Sequence, residues 1–312
     1  MKLIDMHCDT PMKLYQDQGV SGLRENNYCV DLSKLKKSNC LAQFFALFIY
    51  MKPQVSPRAI ALSMLQKLNS ELEINSELIS TATSYEDILK NESEGKMSAV
   101  ITIEEGGAIE GSLHNLRDFY NRGVRLMTLT WNFENEIGYP HAKEEYRTMG
   151  LKPFGFEVIE EMNRLGMIID VSHLSDAGFY DVASHSKKPF VASHSNARTI
   201  TPHSRNLSDP MIKLLAENGG VIGINYVDSF LSNIGFGTLA DIVTHIKHIE
   251  KIGGIDVLAL GSDFDGTPPK CELQHIGEME LLYDKLQNCG FSEDKIDKIF
   301  YKNALRVVKA NL

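Results

Sequence analysis

The sequence predicts an α/β fold, a (β/α)8 TIM barrel in which residues 1–312 form one domain. Three observations lead there. Eight short apolar or β-branched runs alternate with stretches of helical periodicity, no Pro- or Ser-rich linker or internal repeat interrupts them, and acids and histidines recur at the ends of the runs. The length fits a barrel of about 250 residues with insertions.

The predicted strands are Leu3 to Asp9, Gln43 to Ile49, Ala99 to Glu105, Arg125 to Trp131, Met167 to His173, Phe190 to Ser195, Gly220 to Tyr226 and Leu258 to Phe264. Helical stretches between them include Pro57 to Leu72, Leu151 to Leu165, Asp209 to Asn218, Leu239 to Ile252 and Ile276 to Asn288. Ser208-Asp209-Pro210 reads as a helix start and Gly219-Gly220 as a helix end. A doubly wound open sheet would show the same alternation, so the barrel reading rests partly on where the chemistry-bearing residues fall.

Composition is that of an ordinary globular chain, 43% hydrophobic and 23% charged. A formal charge of −9 without a run of Lys or Arg argues against nucleic acid as a partner. Asp5, His7 and Asp9 interrupt the start, where a secretory signal would be apolar, and no window approaches the roughly 18 apolar residues of a membrane span. KNALRVVKANL at the end reads as an amphipathic helix, so the expectation is a cytoplasmic protein without membrane attachment. Five scattered cysteines with no CxxC pair fit reduced thiols.

His7 and Asp9 flank Cys8 at the end of the first predicted strand, and alternation sends both to one side, where they can grip one ion. Cys8 then faces the helices. AVITIEEGG ends in Glu104, Glu105 and two glycines, and only one of the glutamates can face inward. MIIDVSH closes on His173 and PFVASHS on His194. Singly, each is as well explained by a satisfied core histidine or an acidic loop. Together, His7, Asp9, Glu105, His173 and His194 fall at C-terminal strand ends, the face on which barrel active sites are built. Three imidazoles and two carboxylates suit two zinc ions, with one carboxylate bridging.

Asp263, in GSDFDG, points to the barrel mouth in preference to Asp265, and can exchange a proton with water and with a leaving amine. Arg205 lies in a loop on the same face and has the fork that binds carboxylates. His245 and His248 share a face of a helix that reads as solvated, not as a metal site.

The motifs DMHCDT, EGG, DVSH, SHS, SRN, GSDFDG and NALRV, in this order from residue 5 to 307, resemble those of the membrane (renal) dipeptidase family. The resemblance implies a zinc-dependent (β/α)8 barrel that hydrolyses dipeptides, L,D-dipeptides included, and that forms homodimers in many members. It implies one zinc on His7, Asp9 and Glu105 and a second on Glu105, His173 and His194, with hydroxide held between them. Asp263 would then be the general acid/base, and Arg205 would take the substrate carboxylate. Animal members end the fourth strand with a histidine that contacts the scissile carbonyl, whereas this chain has Trp131. Trp131 and Asn132 are therefore the candidate neutral donors to the substrate, and the indole should narrow the space for its N-terminal side chain. Another metal-dependent amidohydrolase is the nearest alternative, although such families open with H-x-H. A non-catalytic metal- or peptide-binding barrel is the other.

Overall fold

The protein was analysed as a computed structural model that describes residues 1–17 and 19–312. Its strands are β1 (Leu3–Cys8), β2 (Cys40–Phe48), β3 (Ile79–Thr81), β4 (Met97–Glu104), β5 (Val124–Thr128), β6 (Ile168–Asp170), β7 (Val191–Ser195), β8 (Val221–Ile224) and β9 (Leu258–Leu260). All pair in parallel, in the order β2-β1-β9-β8-β7-β6-β5-β4, and β2 pairs with β4 to close a barrel of eight strands. The ninth, β3, is absent from the sequence reading. It adds to the start of β4, pairing Ile79 to Thr81 with Met97 to Ala99, ahead of the stretch of β4 that pairs with β5.

The eight runs read as strands are therefore the eight staves of the barrel, and all but β7 are shorter at the C-terminal end than the sequence suggests. The trimmed residues bend out of the ladder to build the mouth. Four non-glycine residues there have positive φ: Glu105 at 99°, His173 at 68°, Asp263 at 63° and Asp265 at 71°. Such conformations cost on the order of 1–3 kcal/mol each and persist where the surroundings hold them.

The helices begin as their caps require. Ser56 accepts from Ala59 N ahead of Pro57, and Thr238 and Asp241 form a reciprocal capping box. Ser208 occupies its expected cap position without a side-chain bond, and Asp209 instead binds Thr199 and His248. The stretch from Ile276 is a short 3-10 turn, Ile276–Glu278, followed by a helix over Met279–Asn288.

Two apolar layers hold the fold. One lies between strands and helices and includes Leu3, Phe45, Ile101, Ile103, Met127 and Ile169. The other fills the lower barrel with Ile4, Phe44, Val100, Leu126, Ile168 and Val221, and is sealed by Ala304, Val307 and Val308 of the helix Asn303–Asn311. Above the lower layer the interior turns polar. Asp5 accepts from Gln43 and from both the backbone and hydroxyl of Ser262, tying β1 to β2 and to the end of β9. Gly223 and Gly261 leave room for the carbonyl of Ser193, which a Cβ at either position would meet at 1.9 Å or 1.8 Å. Among the described residues no helix is long and apolar enough to cross a membrane.

Candidate metal centre

Strand phase brings Glu104 to the barrel mouth. Ala99, Ile101 and Ile103 pack outward against the helices, so Val100, Thr102 and Glu104 form the inward series. The Glu104 carboxylate lies 3.4 Å from His7 Nε2, 3.0 Å from His173 Nε2 and 3.4 Å from His194 Nε2. Glu105, expected here as the bridging carboxylate, does not face the site, and that assignment is corrected. One residue further along the strand reverses the side, and the Glu105 carboxylate accepts from Gly107 N at 2.7 Å, Trp131 N at 2.9 Å and Asn135 Nδ2 at 2.5 Å. It fastens the loops after β4 and β5 to each other.

The other expected ligands gather around Glu104. His7, Asp9 and Glu104 form one group and Glu104, His173 and His194 a second, the ligand atoms within each lying within 4.8 Å of one another. His7 and His194 stack with ring centroids 3.8 Å apart. Both nitrogens of His7 and Oδ1 of Asp9 are buried without a hydrogen-bond partner among the described residues. Leaving such groups unpaired costs about 1–3 kcal/mol each. A cation held in the site would satisfy His7 Nε2 and Asp9 Oδ1, so the donor set fits metal ions.

Neighbouring polar residues set the histidine tautomers. Ser193 Oγ donates to Asp170 Oδ2 at 2.6 Å and lies 2.7 Å from His194 Nδ1. The Ser193 proton is committed to Asp170, so His194 Nδ1–H donates to Ser193 and Nε2 keeps its lone pair for the site. His173 Nδ1 lies 3.0 Å from Asn132 Oδ1, an acceptor, which likewise leaves His173 Nε2 free.

Burial depresses the pKa of His173 and His194 well below the usual imidazole value, with Arg205 adding to the effect, and keeps both in the neutral form that binds metal. His7 differs. Burial opposes its protonation, but Glu104 and Asp9 outweigh burial and raise its pKa well above normal. Burial, reinforced by Glu104, raises Asp9 to about 6. Asp263 is raised to about 6 by burial, against the pull of His7.

Asp263 Oδ2 accepts from Asn225 Nδ2 at 2.8 Å, and Oδ1 lies 3.9 Å from His7 Nε2. Asp265 is turned aside to accept from Thr10 Oγ1 and Cys29 N, each at 2.7 Å. A Cβ at Gly266 would meet Asp9 Oδ2 at 2.5 Å and Asp263 Oδ1 at 2.8 Å, so the glycine keeps open the space beside these two carboxylates. Arg205 is buried, donating through Nη2 to His194 O at 2.9 Å and through Nη1 to Ser195 Oγ at 3.2 Å, while its buried Nε has no partner among the described residues.

A cleft of about 170 Å³ opens onto this centre, lined by Asp9, Glu104, His173 and Asp263 together with Trp131 and Phe230. Asn132 also lines it. The Trp131 ring packs edge-on against Phe48, centroids 4.9 Å apart, and stands 5.4 Å from Phe133. Cys8 is buried among the residues on the helix side, as its phase requires.

Sequence reading missed Asp170, Ser193, His141 and Ser204. Polar residues at inward positions of buried strands were the available signal for Asp170 and Ser193. His245, read as part of a solvated face, is fully buried. Its Nδ1 accepts from Ala197 N and its Nε2 meets Leu231 O, each at 3.1 Å, which makes it a brace beneath the loop after β7.

Glu105→Gln should destabilise the metal-free protein by about 1–3 kcal/mol, because a carboxamide cannot accept three hydrogen bonds in place of a carboxylate. Glu104→Gln should leave its stability unchanged or raise it, since it removes a buried charge. Urea unfolding after chelation checks the contrast, and equal losses would contradict the separation of roles.

The chain is similar to known proteins over nearly its whole length. The family model described as membrane dipeptidase, peptidase family M19, matches residues 1–311. An uncharacterised dipeptidase of Schizosaccharomyces pombe is 30% identical over 99% of this chain and 80% of its own length. The dipeptidase AclJ of Aspergillus oryzae is 31% identical over 89% of this chain and 69% of its own. In fold, the chain is similar to a metallopeptidase from Rhodobacter sphaeroides liganded with a phosphinate mimic of the dipeptide L-Ala-D-Ala. The two share a TM-score of 0.92 and 23% identity, covering 100% of this chain and 99% of that one.

Proposed function

Because the chain belongs to the membrane dipeptidase family, peptidase family M19, it is a metal-dependent dipeptidase, and we propose that it works with two zinc ions sharing Glu104. The observation that carries the reading is the position of the Glu104 carboxylate between two ligand groups, in one of which His7 Nε2 and Asp9 Oδ1 are buried with no hydrogen-bond partner among the described residues. His7, Asp9 and Glu104 would hold one ion, and Glu104, His173 and His194 the other. Bound zinc supplies a Lewis acid for the scissile carbonyl and lowers the pKa of water to about 7.

The chain's own residues do the rest. Asn225 occupies Asp263 Oδ2, leaving Oδ1 to receive the proton of the attacking water and to return it to the departing amine nitrogen. Arg205, with an unpaired Nε, takes the carboxylate of the C-terminal substrate residue, which favours dipeptides over longer chains. The bound L-Ala-D-Ala mimic in the Rhodobacter sphaeroides relative supports a substrate with a small N-terminal residue and a D residue after it. Trp131, braced by Phe48 and Phe133, closes the wall around the N-terminal side chain.

Zinc-loaded wild type should hydrolyse L-Ala-L-Ala or L-Ala-D-Ala. Asp263→Asn should keep its zinc and lose about 10²–10⁴ in kcat, the usual contribution of general acid/base catalysis. Turnover near the wild-type rate would remove Asp263 from the chemistry.

Trp131→His should retain zinc and increase kcat/KM for dipeptides with a bulky N-terminal residue relative to Ala dipeptides. An unchanged ratio across a dipeptide series would show that the indole does not limit that subsite.

A further inference from the structure

Two imidazoles share one acceptor beside the metal centre. Asn132 Oδ1 lies 3.0 Å from His173 Nδ1 and 3.0 Å from His141 Nε2, and His141 Nδ1 lies 2.8 Å from Ser204 Oγ. With Asn132 Oδ1 as the acceptor, His141 Nε2–H donates to it and His141 Nδ1 is left to accept from Ser204 Oγ. A His173 that serves the centre through Nε2 carries its own proton on Nδ1 and donates to the same oxygen. The His173 donor therefore fixes one orientation of the Asn132 amide, because turned over it would set its NH2 group against the His173 Nδ1–H.

In that orientation the Asn132 Nδ2 group has no protein partner among the described residues, and Asn132 stands on the wall of the cleft with Glu104, His173 and Trp131. His141 is itself held in place, its backbone N donating to His173 O at 2.8 Å. Ser204 adjoins Arg205. The chain of hydrogen bonds thus runs from the loop that carries Arg205 to a free amide donor beside the metal centre.

We propose that Asn132 Nδ2–H donates to the carbonyl oxygen of the bond being cleaved as that oxygen gains charge, with His141 and Ser204 as positioning residues. The proposal rests on the dipeptidase reading above. A neutral donor preset by its neighbours needs no proton transfer and no reorientation during the reaction, which is the condition under which such donors are most effective.

The test uses zinc-loaded protein with three readouts: zinc per chain, kcat and KM for an Ala-Ala dipeptide that the wild type cleaves, and calorimetric Kd for a phosphinate mimic of Ala-Ala. Asn132→Ala should keep the wild-type zinc content, lose about 10²-fold in kcat with KM little changed, and bind the phosphinate more weakly by a similar factor. His141→Ala should move in the same direction by less. His141→Gln should recover activity, because its amide can still donate to Asn132 Oδ1. Unchanged kcat and phosphinate affinity in Asn132→Ala would overturn the proposal. So would a loss that merely follows lost zinc, since Asn132 would then act only by orienting His173. A zinc-loaded wild type that cleaves no dipeptide would remove the dipeptidase reading and this proposal with it, whereas an active wild type with an unaffected Asn132→Ala removes the proposal alone.

Discussion

The Glu104 carboxylate lies among three buried imidazoles, with Asp9 and Asp263 close by in the same water-poor space. Isolated charges in such a place are expensive, and proteins keep them when they are paired or coordinate metal. These side chains by themselves oppose one another. His7 is driven toward protonation by Glu104 and Asp9, while the carboxyls of Asp9 and Asp263 are both pushed up to about 6. A dication in each ligand group would take the place of those protons, and Glu104 is the one carboxylate common to both groups.

The scaffold holds this arrangement by means that lie outside the centre. Gly223 and Gly261 let the Ser193 backbone approach β8 and β9. The Ser193 hydroxyl then joins Asp170 to His194, so the orientation of a ligand depends on a carboxylate one layer deeper in the barrel. At the mouth, backbone strain at Glu105, His173, Asp263 and Asp265 turns side chains out of the ladder and toward their partners. Glu105 shows how such strain is held, since its carboxylate accepts three hydrogen bonds from two loops.

Strand positions were legible because buried parallel strands are rich in apolar and β-branched residues, as the runs read as staves are. The three-residue β3 was not, being too short to show a period. At the site, the position of His7, Asp9, His173, His194 and Asp263 at strand ends could be read from local pattern alone. The choice between Glu104 and Glu105 could also have been read, by following Val100 and Thr102 along β4, but the EGG motif drew the assignment one residue too far. His141 and Ser204 were beyond reach, because they meet Asn132 only through the folding of two irregular loops. His245 misled for a related reason: its neighbours on the helix are charged, and the loop that buries it comes from elsewhere in the chain.

Anomalous diffraction from crystals of the zinc-loaded protein tests the central claim most directly. The account predicts two zinc peaks roughly 3.5–4 Å apart, the separation usual for paired catalytic metals. The Glu104 carboxylate should lie between them, with His7 and Asp9 on one ion and His173 and His194 on the other. A single peak, or a pair of ions bridged by Glu105, would contradict it.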